Sequence, residues 1–209
     1  MLLLAFDTAT PVVTVAVHDG RSVLADAHAE GSMVHGERLA PAVQEAMAAA
    51  GAAMGDLTDV AVGVGPGPFT GLRVGVVTAL TLAHTLGLRS HGVCTLDTVA
   101  AQVEPAGPYL VATDARRKEV YWARYDADGG RVEGPDVATP ATLAARFPGL
   151  PVHGPGARLY ADLLTGGGDA AEPSARVLAE LVVQGRVAEL PLQPLYLRRP
   201  DAVPRVVRP

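Results

Sequence analysis

The chain has 209 residues, enough for one large hydrophobic core or two smaller lobes. Its composition, 49% hydrophobic and 19% charged, is typical of a globular α/β protein, and a net charge of −5 provides no broad attraction to nucleic acids or membranes. Aromatic residues, at 4%, are too few for an obvious base-stacking surface, and the single cysteine, Cys94, excludes an internal disulfide.

The N-terminal segment MLLLAF lacks the basic start of a signal peptide, and Asp7 interrupts its apolar run. The longest apolar segment, 74–88, contains threonines and a histidine, and we expect it to be too short to cross a bilayer. The sequence therefore predicts a cytoplasmic protein with no membrane contact.

Alternating and helical hydrophobic patterns follow one another along the first half of the chain. Asp19 and Gly20 are a hairpin signal, and Gly51 is a plausible helix C-cap. In chain order, we expect strands at 2–7, 12–20 and 21–29, a helix from His35 to Gly51, a strand at 59–65, a helix at 70–86, a strand at 91–96 and a helix at 96–103.

The second half repeats this order about 107 residues later, so that Asp114 corresponds to Asp7. We expect strands at 109–114, 119–126 and 131–137, a helix at 141–147, a short strand at 150–154 and one further helix at 175–184. The pattern predicts a duplicated, two-lobed α/β fold with a reduced second lobe. The predicted lobes are residues 1–104 and 105–209, with a proline-containing boundary near 104–108.

The C-terminal tail is expected to be extended and carries several arginines. We interpret it as a solvated tail, with a contact to RNA as the less favoured alternative. These arginines are Arg198, Arg199, Arg205 and Arg208.

The segment GVGPGPFTGLRVG, residues 63–75, resembles a phosphate-binding loop that runs into a helix. A P-loop needs a Gly-Lys-Ser/Thr ending that is absent here, and the glycine spacing is one residue too long for a dinucleotide fingerprint. Pro66 and Pro68 also remove two backbone donors. A phosphate site is therefore the less favoured interpretation, although Thr70 could cap the helix and Arg73 supplies a cation.

Small residues recur every fourth position along the helix that follows this loop, on one face. Glycine inside a helix costs about 1 kcal/mol relative to alanine, so close packing is the natural reason for it. The sequence leaves open whether the ridge packs against this protein's own sheet and first helix or against another subunit. The ridge consists of Gly71, Gly75, Ala79, Ala83 and Gly87.

Residues that could carry catalysis or hold a metal do not form a known pattern. Asp7 and Asp114 end predicted strands, where a carboxylate could orient a metal or phosphate or simply begin a turn. The six histidines show no H-x-x-x-H or H-E-x-x-H spacing. No G-x-S-x-G elbow occurs, and Cys94 lies in an apolar strand that favours a core position. The sequence therefore predicts no catalytic constellation and no metal site.

Six motifs together resemble the TsaB (YeaZ) family, over nearly the whole chain. The G-P-G-x-F-T-G-x-R pattern followed by D-A-R-x-x-E-V-Y is highly specific. The motifs are DTAT (7–10), HGERLAPAV (35–43), GVGPGPFTGLRVG (63–75), the TL of CTLDT (94–98), DARRKEVYWARY (114–125) and PLYLR (194–198).

The resemblance implies the two-lobed fold shared by actin, Hsp70 and acetate kinase, of the RNase H-like kind. It implies an accessory subunit for the synthesis of threonylcarbamoyladenosine at position 37 of tRNAs that read ANN codons. Such members carry the labels glycoprotease-like and peptidase M22-like through their catalytic relative TsaD. TsaD holds its metal through an H-x-x-x-H motif, whereas here Leu39 stands four residues after His35.

In the family, the two helices of the N-terminal lobe pair with those of TsaD, and TsaB alone can pair with itself in the same way. A third partner, the ATPase TsaE, docks where TsaB and TsaD meet, tRNA binds through the complex, and the partner subunits use ATP and metal. The interface carried over to this chain comprises Leu39, Val43, Met47, Gly71, Leu72, Gly75, Val76, Ala79 and Ala83.

The leading hypothesis is a non-catalytic scaffold that binds TsaD, with no cofactor of its own. The alternative is a nucleotide-dependent phosphotransferase, suggested by the superfamily fold. A third hypothesis, a metallopeptidase, follows only from the family label, because this sequence lacks the spacing of metal ligands that such an enzyme needs. Pro68 stands where a serine is frequent in the family, which weakens a nucleotide role further. Residues of a vestigial nucleotide site would be Asp7, Thr8, Gly65, Gly67, Thr70, Arg73 and Asp114.

Overall fold

Two mixed β-sheets, each begun by a three-stranded antiparallel meander, form the framework of the chain. The structure is a computed structural model that describes residues 1–30, 35–167 and 171–198. The first sheet consists of β1 (Leu3–Asp7), β2 (Val12–His18), β3 (Val23–Glu30), β4 (Asp59–Gly65) and β5 (Arg89–Cys94). The second consists of β6 (Tyr109–Asp114), β7 (Val120–Tyr125), β8 (Arg131–Ala138) and β9 (Val152–His153).

The order of the strands confirms the predicted duplication. It is β3-β2-β1-β4-β5 in the first sheet and β8-β7-β6-β9 in the second. In both sheets the strand after the meander pairs in parallel with the first strand, β4 with β1 and β9 with β6. Asp7 and Asp114 therefore end equivalent strands, as predicted. The second sheet is one strand smaller within the described residues, in agreement with a reduced second lobe.

Helices lie on and between the sheets. They are α1 (His35–Ala49), α2 (Phe69–Leu86), α3 (Thr95–Ala100), α4 (Pro140–Arg146), α5 (Pro155–Leu159) and α6 (Ala175–Val183), with a short 3-10 turn at Met54–Asp56. The helix α5 was not expected from the sequence. Gly87 caps α2 in the left-handed conformation at φ 68°.

The first sheet is covered on both faces, because strands buried on both sides need a helix layer on each. On one face, α1 and α2 share a core cluster with Leu4, Phe6 and the other strands. On the other face, Leu178 and Ala179 of α6 pack against Leu3 and Ala5 of β1.

The position of α6 differs from the predicted division of the chain at residues 104–108. That boundary does separate the two sheets, yet α6 and the segment after it return to the first lobe. Leu190 donates its backbone N–H to the Gly92 carbonyl, and Leu195 donates to Val64, both at 2.8 Å. We call residues 190–198 the strap. Arg199, Arg205 and Arg208, predicted to be solvated, lie outside the described residues.

Candidate functional site

Asp7, at the carboxyl end of β1, is fully enclosed by its own chain. Its Oδ1 accepts a hydrogen bond from the Ala9 N–H at 2.7 Å, and its Oδ2 accepts one from the Thr95 hydroxyl at 2.8 Å. The side chain is 1% exposed. Burial raises the pKa of Asp7 to about 6, although these two hydrogen bonds act in the opposite direction.

The glycines of the 63–67 segment are needed for this enclosure. A Cβ at Gly63 would overlap the Asp7 carboxylate, and a Cβ at Gly67 would overlap the Ala9 carbonyl. Gly65, at φ 104°, donates its N–H to the Thr95 hydroxyl at 3.2 Å. The loop therefore packs its backbone directly against the end of β1.

This packing leaves no open phosphate cradle around Asp7. Thr8, 0% exposed, donates its hydroxyl to the Gly71 carbonyl at 2.8 Å, which ties the β1–β2 loop to α2. Four of the seven residues predicted for a vestigial nucleotide site are thus buried contacts of the fold: Asp7, Thr8, Gly65 and Gly67. Within the described residues, the geometry does not favour the phosphotransferase alternative.

The remaining three residues predicted for that site face solvent in two different places. Thr70 and Arg73 are exposed in the first turn of α2. Arg73 lies over the Phe69 ring, 3.8 Å from its centroid, and donates Nε–H to the Tyr196 hydroxyl at 3.1 Å. Asp114 lies instead at the end of β6 and pairs with Arg116 at 3.3 Å.

A cavity of about 410 Å³ opens between the ends of β1 and β6. The β1–β2 loop contributes Ala9 and Thr10, Asp114 follows from β6, and α5 contributes Arg158 and Leu159. The lobes therefore meet in a cleft at the carboxyl ends of equivalent strands, the usual place for ligands in open α/β sheets. Asp7 does not line this cavity, because Ala9 and the glycine loop cover it.

The β6–β7 turn contains a rare backbone conformation. Arg116, Arg117 and Lys118 have φ of 60°, 55° and 61°, the left-handed region that residues other than glycine seldom adopt. The turn is closed by a hydrogen bond from the Ala115 N–H to the Glu119 carbonyl at 2.9 Å. The three side chains, all cationic, are exposed.

The strap holds this turn from outside. Arg198 donates Nη1–H to the Ala115 carbonyl at 2.7 Å and forms an ion pair with Glu119. Its side chain is only 24% exposed. Arg198, which the sequence predicted to lie in a solvated tail, is thus a structural contact between the strap and the second lobe.

The first three residues of the predicted small-residue ridge on α2 pack inside the protein, whereas its last residue, Gly87, is exposed. A Cβ at Gly75 would overlap the Thr8 hydroxyl and approach Val62, so the glycine is explained by the protein's own sheet. Ala83 is partly buried, and every other residue predicted for the interface is buried. This corrects their assignment to a contact surface, because a partner cannot reach them. The buried residues are Leu39, Val43, Met47, Gly71, Leu72, Gly75, Val76 and Ala79.

The opposite side of α2 is open and carries exposed apolar side chains among polar ones such as Thr81 and His84. Val77 and Leu80 are 56% and 47% exposed. By length and composition alone α2 could cross a membrane, with a mean hydropathy of 1.3 and 28% of it buried, which differs from the expectation for segment 74–88. The sequence contains a signal for these exposed apolar side chains, because apolar residues of α2 occur outside the face that its small residues define.

Cys94 is a core residue, as predicted. It is 0% exposed, and burial raises the pKa of its thiol to about 12, so it is a poor nucleophile. Within residues 1–30, 35–167 and 171–198, no group of three or more His, Cys, Asp or Glu side chains is arranged to hold a metal ion.

Comparison with known proteins gives consistent similarities. The family model for TsaD, tRNA N6-adenosine threonylcarbamoyltransferase, matches residues 29–166. An uncharacterised Mycobacterium tuberculosis protein is 46% identical over an alignment 218 residues long. The alignment covers 98% of this chain and 95% of the relative. The tRNA threonylcarbamoyladenosine biosynthesis protein TsaB of Escherichia coli is 40% identical over 132 residues, 61% of this chain and 56% of that protein.

A solved structure from Pseudomonas aeruginosa, described as similar to the peptidase YeaZ, superposes with a TM-score of 0.78. It is 28% identical, and the superposition covers 94% of this chain and 99% of that one. A second structure, described as YeaZ from the same organism, gives a TM-score of 0.72 at 27% identity. The likeness therefore extends over both lobes.

Proposed function

The chain belongs to the TsaB (YeaZ) family, and from that membership we propose that it takes part in the biosynthesis of tRNA threonylcarbamoyladenosine. Its role is that of a non-catalytic subunit, which binds and activates a TsaD-type threonylcarbamoyltransferase. The observation that carries the proposal is the exposed pair of apolar side chains, Val77 and Leu80, on the outer side of α2.

The contact surface of the proposed complex is the outer side of α1 and α2. Val77, Leu80 and His84 recur at helical spacing and are all exposed. On the neighbouring α1, the residues Ala40, Gln44 and Ala48 are exposed and spaced by four, and the two alanines are small enough for a second helix to approach closely. Exposed apolar side chains that are clustered on one element mark an interaction site. These residues replace the buried ones expected from the sequence.

A scaffold role is supported by the hydrogen bonds of the buried polar groups at the end of β1. The Asp7 carboxylate and the Thr8 and Thr95 hydroxyls each bond to this protein's own chain. They hold the β1–β2 loop, the glycine loop and α2 in one rigid arrangement. Such an arrangement orients the outer face of α2 without requiring a bound cofactor.

The remaining parts of the proposal follow from the family. In the absence of a TsaD-type partner, the same face pairs with a second copy of this chain. A TsaE-type ATPase binds at the junction of the two subunits, ATP and metal are used by the partner subunits, and tRNA is bound by the complex. The assembly works in the cytoplasm.

The proposal is tested by mixing the purified chain with the TsaD protein of the same organism and measuring molar mass by light scattering. We expect a heterodimer that Leu80→Arg abolishes, because a charge would be buried in the apolar contact. Leu24→Arg is the matched control, since Leu24 is 41% exposed on β3 of the sheet. A heterodimer that tolerates Leu80→Arg would refute the assigned face, and no association of the wild-type proteins would refute the proposed role.

A further inference from the structure

We propose that His91 is a proton-controlled latch, which fastens the start of the strap to the edge strand β5 when its imidazole is charged and releases it when the imidazole is neutral. The inference goes beyond the proposed function, because it concerns how this chain holds its own C-terminal segment. It therefore stands or falls independently of any partner protein or tRNA.

The first observation is that His91 lies between two carboxylates. Its Nε2 atom is 3.1 Å from Oδ1 of Asp59, and its Nδ1 atom is 2.8 Å from Oε1 of Glu189. An ionised carboxylate can only accept hydrogen bonds, and a neutral imidazole has a single N–H to donate. Both contacts are therefore hydrogen bonds only when both ring nitrogens carry a proton, which is the charged form of the imidazole.

The two carboxylates are held very differently, which decides the contact that is lost on deprotonation. The Asp59 side chain is 0% exposed and also accepts hydrogen bonds from the Thr58 hydroxyl at 2.6 Å and from Arg89 at 3.0 Å. Burial acts to raise the pKa of Asp59, but its hydrogen bonds to these groups and to His91 hold that pKa below the ordinary value of 3.8. Asp59 therefore stays ionised at neutral pH and retains the Nε2 proton of His91. The Glu189 side chain is 59% exposed, so it can turn into solvent when Nδ1 loses its proton.

The charges around His91 favour the same outcome. Within the described residues, the charged groups that contact the His91 ring from other elements are Asp59 on β4 and Glu189 before the strap. On β5 itself, Arg89 forms an ion pair with Asp59 at 2.9 Å. A charged His91 gives this cluster two cations for two carboxylates, whereas a neutral His91 leaves Arg89 alone to balance both. The excess negative charge then favours the departure of the exposed Glu189 carboxylate.

The contact with Glu189 lies at the point where the strap begins. The next residue, Leu190, donates its backbone N–H to the carbonyl of Gly92 at 2.8 Å, so the strap starts as a short antiparallel bridge on β5. The bridge is tight, because a Cβ at Gly92 would overlap the Leu190 carbonyl. At its other end, the strap contacts the second lobe through Arg198. The charge of His91 thus controls how firmly a segment that joins the two lobes is fastened at its first contact.

The test follows the purified full-length chain by NMR spectroscopy between about pH 5.5 and pH 9, the range around the ordinary titration of histidine. Long-range 1H–15N spectra report the protonation of both ring nitrogens of His91. Hydrogen exchange reports the protection factor of the Leu190 amide, which corrects for the intrinsic dependence of exchange on pH. Glu189→Gln removes the carboxylate charge at nearly constant size, and Glu104→Gln is the matched control, because Glu104 is an exposed glutamate outside this cluster.

We expect the Leu190 protection factor to fall roughly two- to fivefold as His91 loses its proton, with the same midpoint as the ring, and the neutral ring to keep its proton on Nε2. Glu104→Gln should behave like the wild type. Glu189→Gln should remove the pH dependence, because a glutamine side chain can either accept from Nδ1 or donate to it. The inference would be overturned by a His91 ring that stays charged throughout or keeps its last proton on Nδ1. A protection factor that does not follow the titration, or a Glu189→Gln variant that retains the pH dependence, would overturn it as well.

Discussion

Asp7 and Asp114 occupy equivalent positions in the two halves of the chain, yet their surroundings differ completely. Asp7 is sealed by the glycine loop and Thr95, and its pKa is raised to about 6. The Asp114 side chain is 27% exposed, borders a cavity and pairs with Arg116. The duplicated strand thus places a carboxylate at the same point twice, and the residues contributed by distant segments decide whether it is closed or open.

The end of β1 in the first lobe is therefore closed by its own chain, whereas the end of β6 in the second lobe is followed by an exposed turn. In the first lobe, backbone atoms of residues 63–67 fill the space in which a ligand would lie. In the second lobe, the β6–β7 turn, which is the counterpart of the β1–β2 loop, stands outward and is held by the strap through Arg198. We therefore expect substitutions in the first lobe to affect stability most, and substitutions in the second-lobe turn to affect it least.

The largest change in the free energy of unfolding is expected for Gly63→Ala. The added methyl group would overlap the Asp7 carboxylate and crowd Thr95, neither of which can move without breaking a buried hydrogen bond. Overpacking of this kind should lower the free energy of unfolding by about 3 kcal/mol or more, as measured by urea denaturation. Gly55→Ala is the control, because a Cβ there meets nothing within 4 Å, and it should cost less than about 1 kcal/mol. Equal effects of the two substitutions would contradict the sealed arrangement.

A slightly smaller change in the free energy of unfolding is expected from the ionisation of Asp7. Its pKa in the folded state, about 6, is above the ordinary value of 3.8, so the unfolded chain releases this proton at lower pH. The stability contributed by the protonated form is complete below pH 3.8 and is lost as the pH rises through 6. Relative to Asp7→Asn, the wild-type protein should therefore gain up to about 3 kcal/mol between neutral pH and pH 4.

Urea denaturation of both proteins across that pH range measures the difference. Asp114→Asn provides the comparison between the lobes, because an exposed ion pair contributes only about 1 kcal/mol or less to stability. A constant difference between wild type and Asp7→Asn at every pH would show that the Asp7 carboxylate is hydrated, in conflict with its burial.

The sequence was sufficient to predict the duplicated fold because its signals are local. The hairpin at Asp19 and Gly20, the helix end at Gly51 and the equivalence of Asp7 with Asp114 all follow from short patterns. The sequence did not predict α5 because five residues are too few for a periodic hydrophobic signal, although Pro155 at its first position is typical of a helix start.

The candidate site was less predictable because it depends on residues far apart in the chain. Thr95 is 88 residues from Asp7, and Arg198 is 83 residues from Ala115. The sequence left the packing partner of the α2 ridge open for a different reason. Small residues at helical spacing do not indicate whether they meet the protein's own sheet or another subunit, and the close approach of Gly75 to Thr8 decides it.

The smallest change in the free energy of unfolding is expected in the β6–β7 turn, at Lys118. Its φ of 61° is unfavourable for any residue with a Cβ, so Lys118→Gly should relieve strain that Lys118→Ala retains. Both variants lose the same charge, so their difference isolates the backbone, and we expect the glycine variant to be more stable by about 1 kcal/mol. Urea denaturation of the two proteins measures this difference. If the alanine variant were the more stable, the turn would not be strained. A positive difference would instead show that the β6–β7 turn gives up stability, whereas its counterpart in the first lobe, the β1–β2 loop, is held by buried hydrogen bonds of Asp7 and Thr8.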